Sequence, residues 1–413
     1  MPLETVRDNQ WWYSQSVHRP RVETCGFVML SIGGRECPLV HSELGCDGRP
    51  THSFKFLNAA DRAFWVALRG NQVDINVIEC GDQLPELDQA DEAEQADEPG
   101  TPQLLEMPIV CRGGDTLFDA YVFIDWSASS RPKTGADSVW IGAGAYDANG
   151  NLVVDRPINP RTRQQAETRV CELLVEHTKS QRRVLVGFDF PYGYPANWHT
   201  AIGTNAGTWQ GLWNLLVQQI TDNGQNTNNR CDVANDLNAA VVNFAGPFWS
   251  RPNVNAALYP SLPATKPHCF ANALVAEFRE IEQRLRATGR QPKSVWQLFG
   301  NGVVGSQVLL GIPVLFRLHN HEQLRACSQV WPFETGWQCP VSQRPCVVHA
   351  EIWPGAIPVA RGLHPIKDAA QVLSYVYWAA RLDVGGNLNA RFNPHAAPPA
   401  AVVQQCEGWI LGQ

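Results

Sequence analysis

No run of the 413-residue sequence is apolar for the roughly 20 positions that a membrane-spanning helix needs. The opening residues, MPLETVRDNQWWYSQ, have no basic segment leading into an apolar one and do not read as a signal peptide, so the expectation is a cytoplasmic protein without a membrane partner. Closely paired cysteines are missing as well. The 12 cysteines are scattered singly and the nearest two, Cys339 and Cys346, are too far apart for a CxxC zinc knuckle, which leaves reduced, mostly buried thiols as the expectation. Nor is there the strongly basic balance of a typical DNA-binding domain: the net charge is −7.

What is present is uneven. Residues 1–115 hold 9 Lys and Arg against 19 Asp and Glu, whereas the remainder holds 24 against 21. The two parts are electrostatically different objects, and a mildly basic body is compatible with a phosphorylated ligand. Residues 1–81 read as a small α+β domain, with strands at 25–32 (CGFVMLSI) and 73–80 (VDINVIEC) and a short helix at 59–68. Trp11, Trp12 and Tyr13 read as an aromatic plug for its core. Residues 82–100 carry eight acids and no base, the signature of a disordered, self-repelling linker, and the linker as a whole is placed at 82–115.

From Phe118 the pattern becomes regular. The apolar run from Tyr121 ends in Asp125, a polar turn follows, and a second run covers 138–146. An Asn149–Gly150 hairpin signal then leads to a third strand at about 152–158, so the three form an antiparallel meander. Val170, Leu173, Leu174 and His177 mark a helix over 164–177, and the buried strand 184–188 again ends in an acid, Asp189. Residues 196–346 read as a long, largely helical insertion. It holds a Trp-rich helix around Trp209 and Trp213, an Asn-rich loop over 222–238 and a helix over 271–287. A last strand, 347–352, carries Glu351, and a closing helix over 368–382 starts with Asp368.

The fold class expected is therefore α/β. It comprises a ribonuclease H-like domain over 116–413, with a mixed sheet whose first three strands are antiparallel and a large insertion, joined to the small α+β N-terminal domain. Four acids sit at strand ends or a helix start: Asp125, Asp189, Glu351 and Asp368. An acid at the end of a buried strand is costly unless compensated. Clustered carboxylates suit Mg²⁺ or Mn²⁺, hard ions that take oxygen ligands, and paired ions about 4 Å apart can drive phosphodiester hydrolysis. These four are the candidate catalytic and metal-ligating residues. Arg131, Lys133 and Lys367 are candidate phosphate donors, and Glu334 is an outside candidate among the acids. Asp368 has a competing reading as a helix N-cap, and Asp125 and Asp189 as Asx turns. Gly300, Gly302 and Gly305 match GxGxxG, but the helix after them should be cut short by Gly311 and Pro313, and no acid follows at the spacing of a dinucleotide fold. A glycine turn lining the acidic site is expected instead, with Ser306 and Gln307 facing a substrate.

The stretches IDWSASSRPKTG, GFDFPYGYP, AEIWPGAIP and KDAAQV, with SVWQLFGNGVVGSQVLLGIP and VWPFETGW, resemble an uncharacterised bacterial family for which a ribonuclease H-like fold is predicted. Some of its members carry labels mentioning molybdopterin-guanine dinucleotide synthesis. The likeness covers about residues 118–385 and implies the fold and an acidic site. The leading expectation is a divalent-metal-dependent phosphodiester hydrolase acting on nucleic acid or a nucleotide. Two alternatives stay open: an actin-like nucleotide hydrolase, which would share the strand, acid and hairpin, and a non-catalytic scaffold that binds a protein partner through its N-terminal domain.

Overall fold

The computed structural model describes residues 110–113, 116–202, 207–241, 246–252, 256–267, 270, 275–339, 343–360, 362–394 and 402–413, together with six strands within residues 5–81. The chain divides into two compact units, Met1–Pro102 and Gln103–Gln413. In the first, β1 (Thr5–Arg7), β2 (Gln10–Trp12), β3 (Phe27–Ile32), β4 (Arg35–Leu44), β5 (Pro50–Phe56) and β6 (Ile75–Gly81) form one antiparallel sheet in the order β1-β2-β5-β4-β3-β6. Strands β3 and β6 are the two the sequence announces. The expected helix at 59–68 and the acidic tract 82–100 lie outside the described residues.

The second unit is a mixed α/β layer structure. Its strands are β7 (Ala120–Asp125), β8 (Trp140–Tyr146), β9 (Leu152–Val154), β10 (Arg183–Phe188), β11 (Ser328–Val330) and β12 (Cys346–Glu351), in the order β11-β12-β10-β7-β8-β9. The first three form the expected antiparallel meander, and β10, β12 and β11 add to β7 in parallel. Strand β11 falls inside the expected insertion yet completes the sheet edge. The long helices are α1 (Arg163–Lys179), α2 (Trp209–Gln219), α3 (Arg230–Ala240), α4 (Glu280–Ala287), α5 (Gly305–His319) and α6 (Lys367–Val384). Helix α1 starts at Thr162, whose hydroxyl accepts from the Gln165 N–H at 3.2 Å, an N-cap bond of the usual kind.

Period-2 alternation sorts the strand residues between two apolar layers. Ala120, Val122 and Ile124 of β7 and Val184, Val186 and Phe188 of β10 pack with α1, α2, α3 and α5. Tyr121, Phe123 and Leu185 face the other way and pack with α6, α4 and the segment around Trp409. Thus the insertion covers mostly one face and the closing helix the other. Three local expectations differ, the first being that the helix expected over 271–287 is Glu280–Ala287, with residues 275–279 outside it. Helix α3 takes over most of the Asn-rich loop, and α5 runs unbroken through Gly311 and Pro313 for 15 residues. Gly311 serves packing there, since a Cβ on it would lie 2.4 Å from the Phe190 ring. Seven cysteines of the second unit are free thiols, and the described residues contain no helix long and apolar enough to cross a membrane.

Candidate functional site

Parallel pairing of β7 and β10 sets Ile124 beside Phe188. The next residue on each strand is an acid, so Asp125 and Asp189 stand side by side at the strand ends. The ladder extends to them: the Asp189 N–H donates to the Ile124 carbonyl at 3.1 Å, and the Trp126 N–H donates to Asp189 Oδ1 at 2.6 Å. Alternation sends both side chains to the face covered by α6.

Helix α6 brings the third acid. Gly142 and Gly144 of β8 let it lie close, because a Cβ at Gly142 would meet the Val372 backbone at 2.9 Å and one at Gly144 the Val376 side chain at 2.7 Å. Each step of four residues along α6 therefore matches a step of two along β8. One turn before Val372 comes Asp368, and two residues before Gly142 comes Trp140, the residue paired with Asp125. Asp368 is not a cap: the helix is preceded by Ile366, and Asp368 Oδ2 accepts from the Asp137 N–H at 2.7 Å across the sheet edge.

Burial is the main cause that raises Asp125 well above the usual carboxylate range, followed by the charges of Asp189 and Asp368; Lys367 opposes the shift and Asp137 adds to it. Asp189 is pushed up to about 7, again mainly by burial, with Asp368 adding to it against the two backbone N–H groups. No hydrogen bond from a described residue reaches the Asp125 carboxylate, so an Asx turn does not account for it. Asp189 bonds across to the neighbouring strand rather than into its own turn.

Glu351 is not brought into this group. It lies in register with Phe188, one row short of the acids, and so faces the opposite side of the sheet. There it takes both ends of the Arg279 guanidinium, at 2.7 and 2.6 Å, and the Tyr192 N–H at 3.0 Å. Arg279 is wholly buried and also binds Glu282 and the Glu407 carbonyl, so Glu351 belongs to a structural ion network. Glu334 is likewise occupied, accepting from the Val330 N–H at 2.7 Å with His319 Nε2 at 3.4 Å. Ser306 does not face a substrate: it is buried, donates to the Leu298 carbonyl at 2.7 Å and accepts from Arg230 Nε at 2.9 Å. Gly305 opens α5 against the carbonyls of Val295 and Gln297, where a Cβ would sit at 2.6 and 2.4 Å, so this glycine serves close packing. Arg131, Lys133 and Lys367 are exposed, and Lys133 has Asp137 at 3.4 Å.

Sequence reasoning missed the two arginines that hold the loop after Asp125. Two buried arginines of α1 and α3, Arg163 and Arg230, reach it from below, the first through the Ser127 and Ser129 carbonyls and the second through the Ser130 hydroxyl. Gln307, expected to face a substrate, lies at the start of α5 and donates instead to the Trp126 carbonyl. An arginine at the start of a helix reads as surface, and nothing local marks these as buried.

The donor set at the strand ends is all carboxylate oxygen, the chemistry of a hard divalent cation. Among the described residues no group of three or more His, Cys, Asp or Glu converges to hold a metal ion. The chain matches no family model, no curated protein and no solved structure.

Proposed function

We propose that residues 116–413 form a ribonuclease H-like domain and that the protein is a phosphodiester hydrolase dependent on Mg²⁺ or Mn²⁺. Support for the fold comes from the antiparallel meander β7-β8-β9, the parallel addition of β10 and β12 beyond β7, and α1 between the two halves. The observation that carries the function is the Asp125 carboxylate. It is partly buried, receives no hydrogen bond from a described residue and is flanked by two further acids, an arrangement that a cation relieves. Asp125 and Asp189 would hold the ion directly, with Asp368 completing the ring through water. When bound, it would supply an activated water and a charge partner for the leaving oxygen. The chain's own part is orientation. The Trp126 N–H donates to Oδ1 of Asp189 and the Asp137 N–H to Oδ2 of Asp368, which holds both carboxylates in place.

The test is a thermal-shift titration with Mn²⁺ and Mg²⁺ on the wild type and on Asp125→Asn. A ligand that binds only the folded state at 100 times its Kd stabilises it by about 2.7 kcal/mol. The wild type is expected to gain stability at millimolar metal and the variant not, after which single strands, duplexes and hybrids are assayed for cleavage. Indifference of both proteins to metal would remove the hydrolase reading and leave the scaffold.

A further inference from the structure

The loop after Asp125 is tethered through its carbonyl oxygens. Trp126 O accepts from Gln307, and Ser127 O and Ser129 O accept from Arg163 Nη1 at 3.1 and 2.6 Å. Arg163 is itself immobilised, only 1% exposed and paired on two sides with Asp222, Nε to Oδ2 at 2.5 Å and Nη2 to Oδ1 at 2.7 Å. In a trans peptide the C=O and the following N–H lie in one plane and point in opposite directions. The three tethered carbonyls share their planes with the N–H groups of Ser127, Ala128 and Ser130. These N–H groups are therefore turned away from Gln307 and Arg163.

They are also unspent. The N–H groups of Ser129 and Arg131 go to the Ser127 and Ser129 hydroxyls, but those of Ser127, Ala128 and Ser130 find no acceptor among the described residues. The Ser130 hydroxyl accepts from Arg230 Nη1 at 3.1 Å, which leaves its proton to donate. Ser127 and Ala128 are partly buried and Ser130 is exposed, so the row is within reach of a ligand. The three free N–H groups lie on one loop directly after Asp125, and free backbone donors on a loop can bind an anion.

We propose that the N–H groups of Ser127, Ala128 and Ser130, with the Ser130 hydroxyl, form a cradle for the non-bridging oxygens of a phosphate group. This deepens the hydrolase reading and rests on it for the phosphodiester as ligand, while binding of a phosphate anion as such needs no metal. The insertion thereby has a task at the acidic site: Asp222, which holds Arg163, and Gln307 fix the peptide planes that receive the substrate. Arg131 and Lys367, both exposed, add positive charge nearby.

The full chain is titrated with inorganic phosphate in the presence of EDTA, against chloride at equal ionic strength. Binding is read as amide shifts in a transverse-relaxation-optimised NMR spectrum and as a rise in unfolding temperature. The expected result is selective movement of the Ser127, Ala128 and Ser130 amide signals, and tighter binding in Asp125→Asn, which removes a repelling charge. Replacing the Ala128 amide by an ester, which deletes one N–H and keeps the shape, is expected to weaken phosphate about tenfold. Unmoved amide signals, or an ester protein that binds phosphate like the wild type, would overturn the cradle. A metal response lost in Asp125→Asn but with no phosphate binding would sink the cradle and spare the hydrolase reading. Phosphate binding with no metal response would do the opposite.

Discussion

Glu351 and Asp189 end neighbouring strands, yet one residue of register sends them to opposite faces with opposite tasks. Glu351 neutralises Arg279, a guanidinium with no access to solvent that also ties α4 to the C-terminal segment through the Glu407 carbonyl. Removing one partner of a buried ion pair leaves the other charge uncompensated, at a cost of about 3–5 kcal/mol. Glu351→Gln is expected to lose about 3 kcal/mol in urea unfolding and to keep the metal-induced gain in stability, whereas Asp125→Asn loses that gain and keeps its fold. If Glu351→Gln abolished the metal response at little cost in stability, Glu351 would belong in the acidic site after all. That strand 346–351 ends in an acid was legible in the sequence. The face it points to was not, because parity depends on register with strands more than 150 residues away. The same limit hid Arg163 and Arg230, whose partners lie 34 to 100 residues off.

At the scale of elements, hydrophobic period alone located β7, β8, β10, β12, α1 and α6 to within about two residues, because each is long and strongly patterned. Glycine and proline misled where packing decides. Gly311 and Pro313 sit inside α5 because Phe190 needs the space at the first and no break follows at the second. The paired glycines of β8 matter more to the site, since they set the height of α6 above the sheet and with it the position of Asp368. At Gly142 the added Cβ meets backbone, which cannot turn aside, so the helix itself must shift. Gly142→Ala is expected to lower stability by about 1–3 kcal/mol and to weaken the metal response, both measured in one thermal-shift series. Gly144→Ala meets a side chain instead, and its stability is expected to return when combined with Val376→Ala. A Gly142→Ala protein with an unchanged metal response would show that Asp368 contributes nothing there.

For the molecule as a whole, one buried histidine adds a term to the pH dependence of stability. His349 of β12 is wholly buried, with Nε2 2.8 Å from the Ser328 hydroxyl and Nδ1 without a partner. The groups facing it are Ser328 on β11 and His319 on α5, and His319 in turn has Glu334 at 3.4 Å. Burial first, and His319 second, depress its pKa to about 3. The folded protein thus holds a neutral ring at a pH where the unfolded chain has already taken a proton. The sign follows: the contribution is complete above the ordinary histidine value near 6.5 and is lost as pH falls from there toward 3, at up to about 1.4 kcal/mol per pH unit. Asp125 and Asp189, whose carboxyls are raised in the folded state, act in the opposite sense over the same range, so the His349 contribution is read as the difference in slope between two proteins. His349→Gln has no proton to take up and is expected to show a slope shallower by about one proton, whatever stability it has at pH 7. Urea unfolding at pH 7, 6, 5 and 4 on both proteins measures this. Equal slopes would mean that His349 gains a partner on protonation and that the sheet edge formed by β11 yields before the core does.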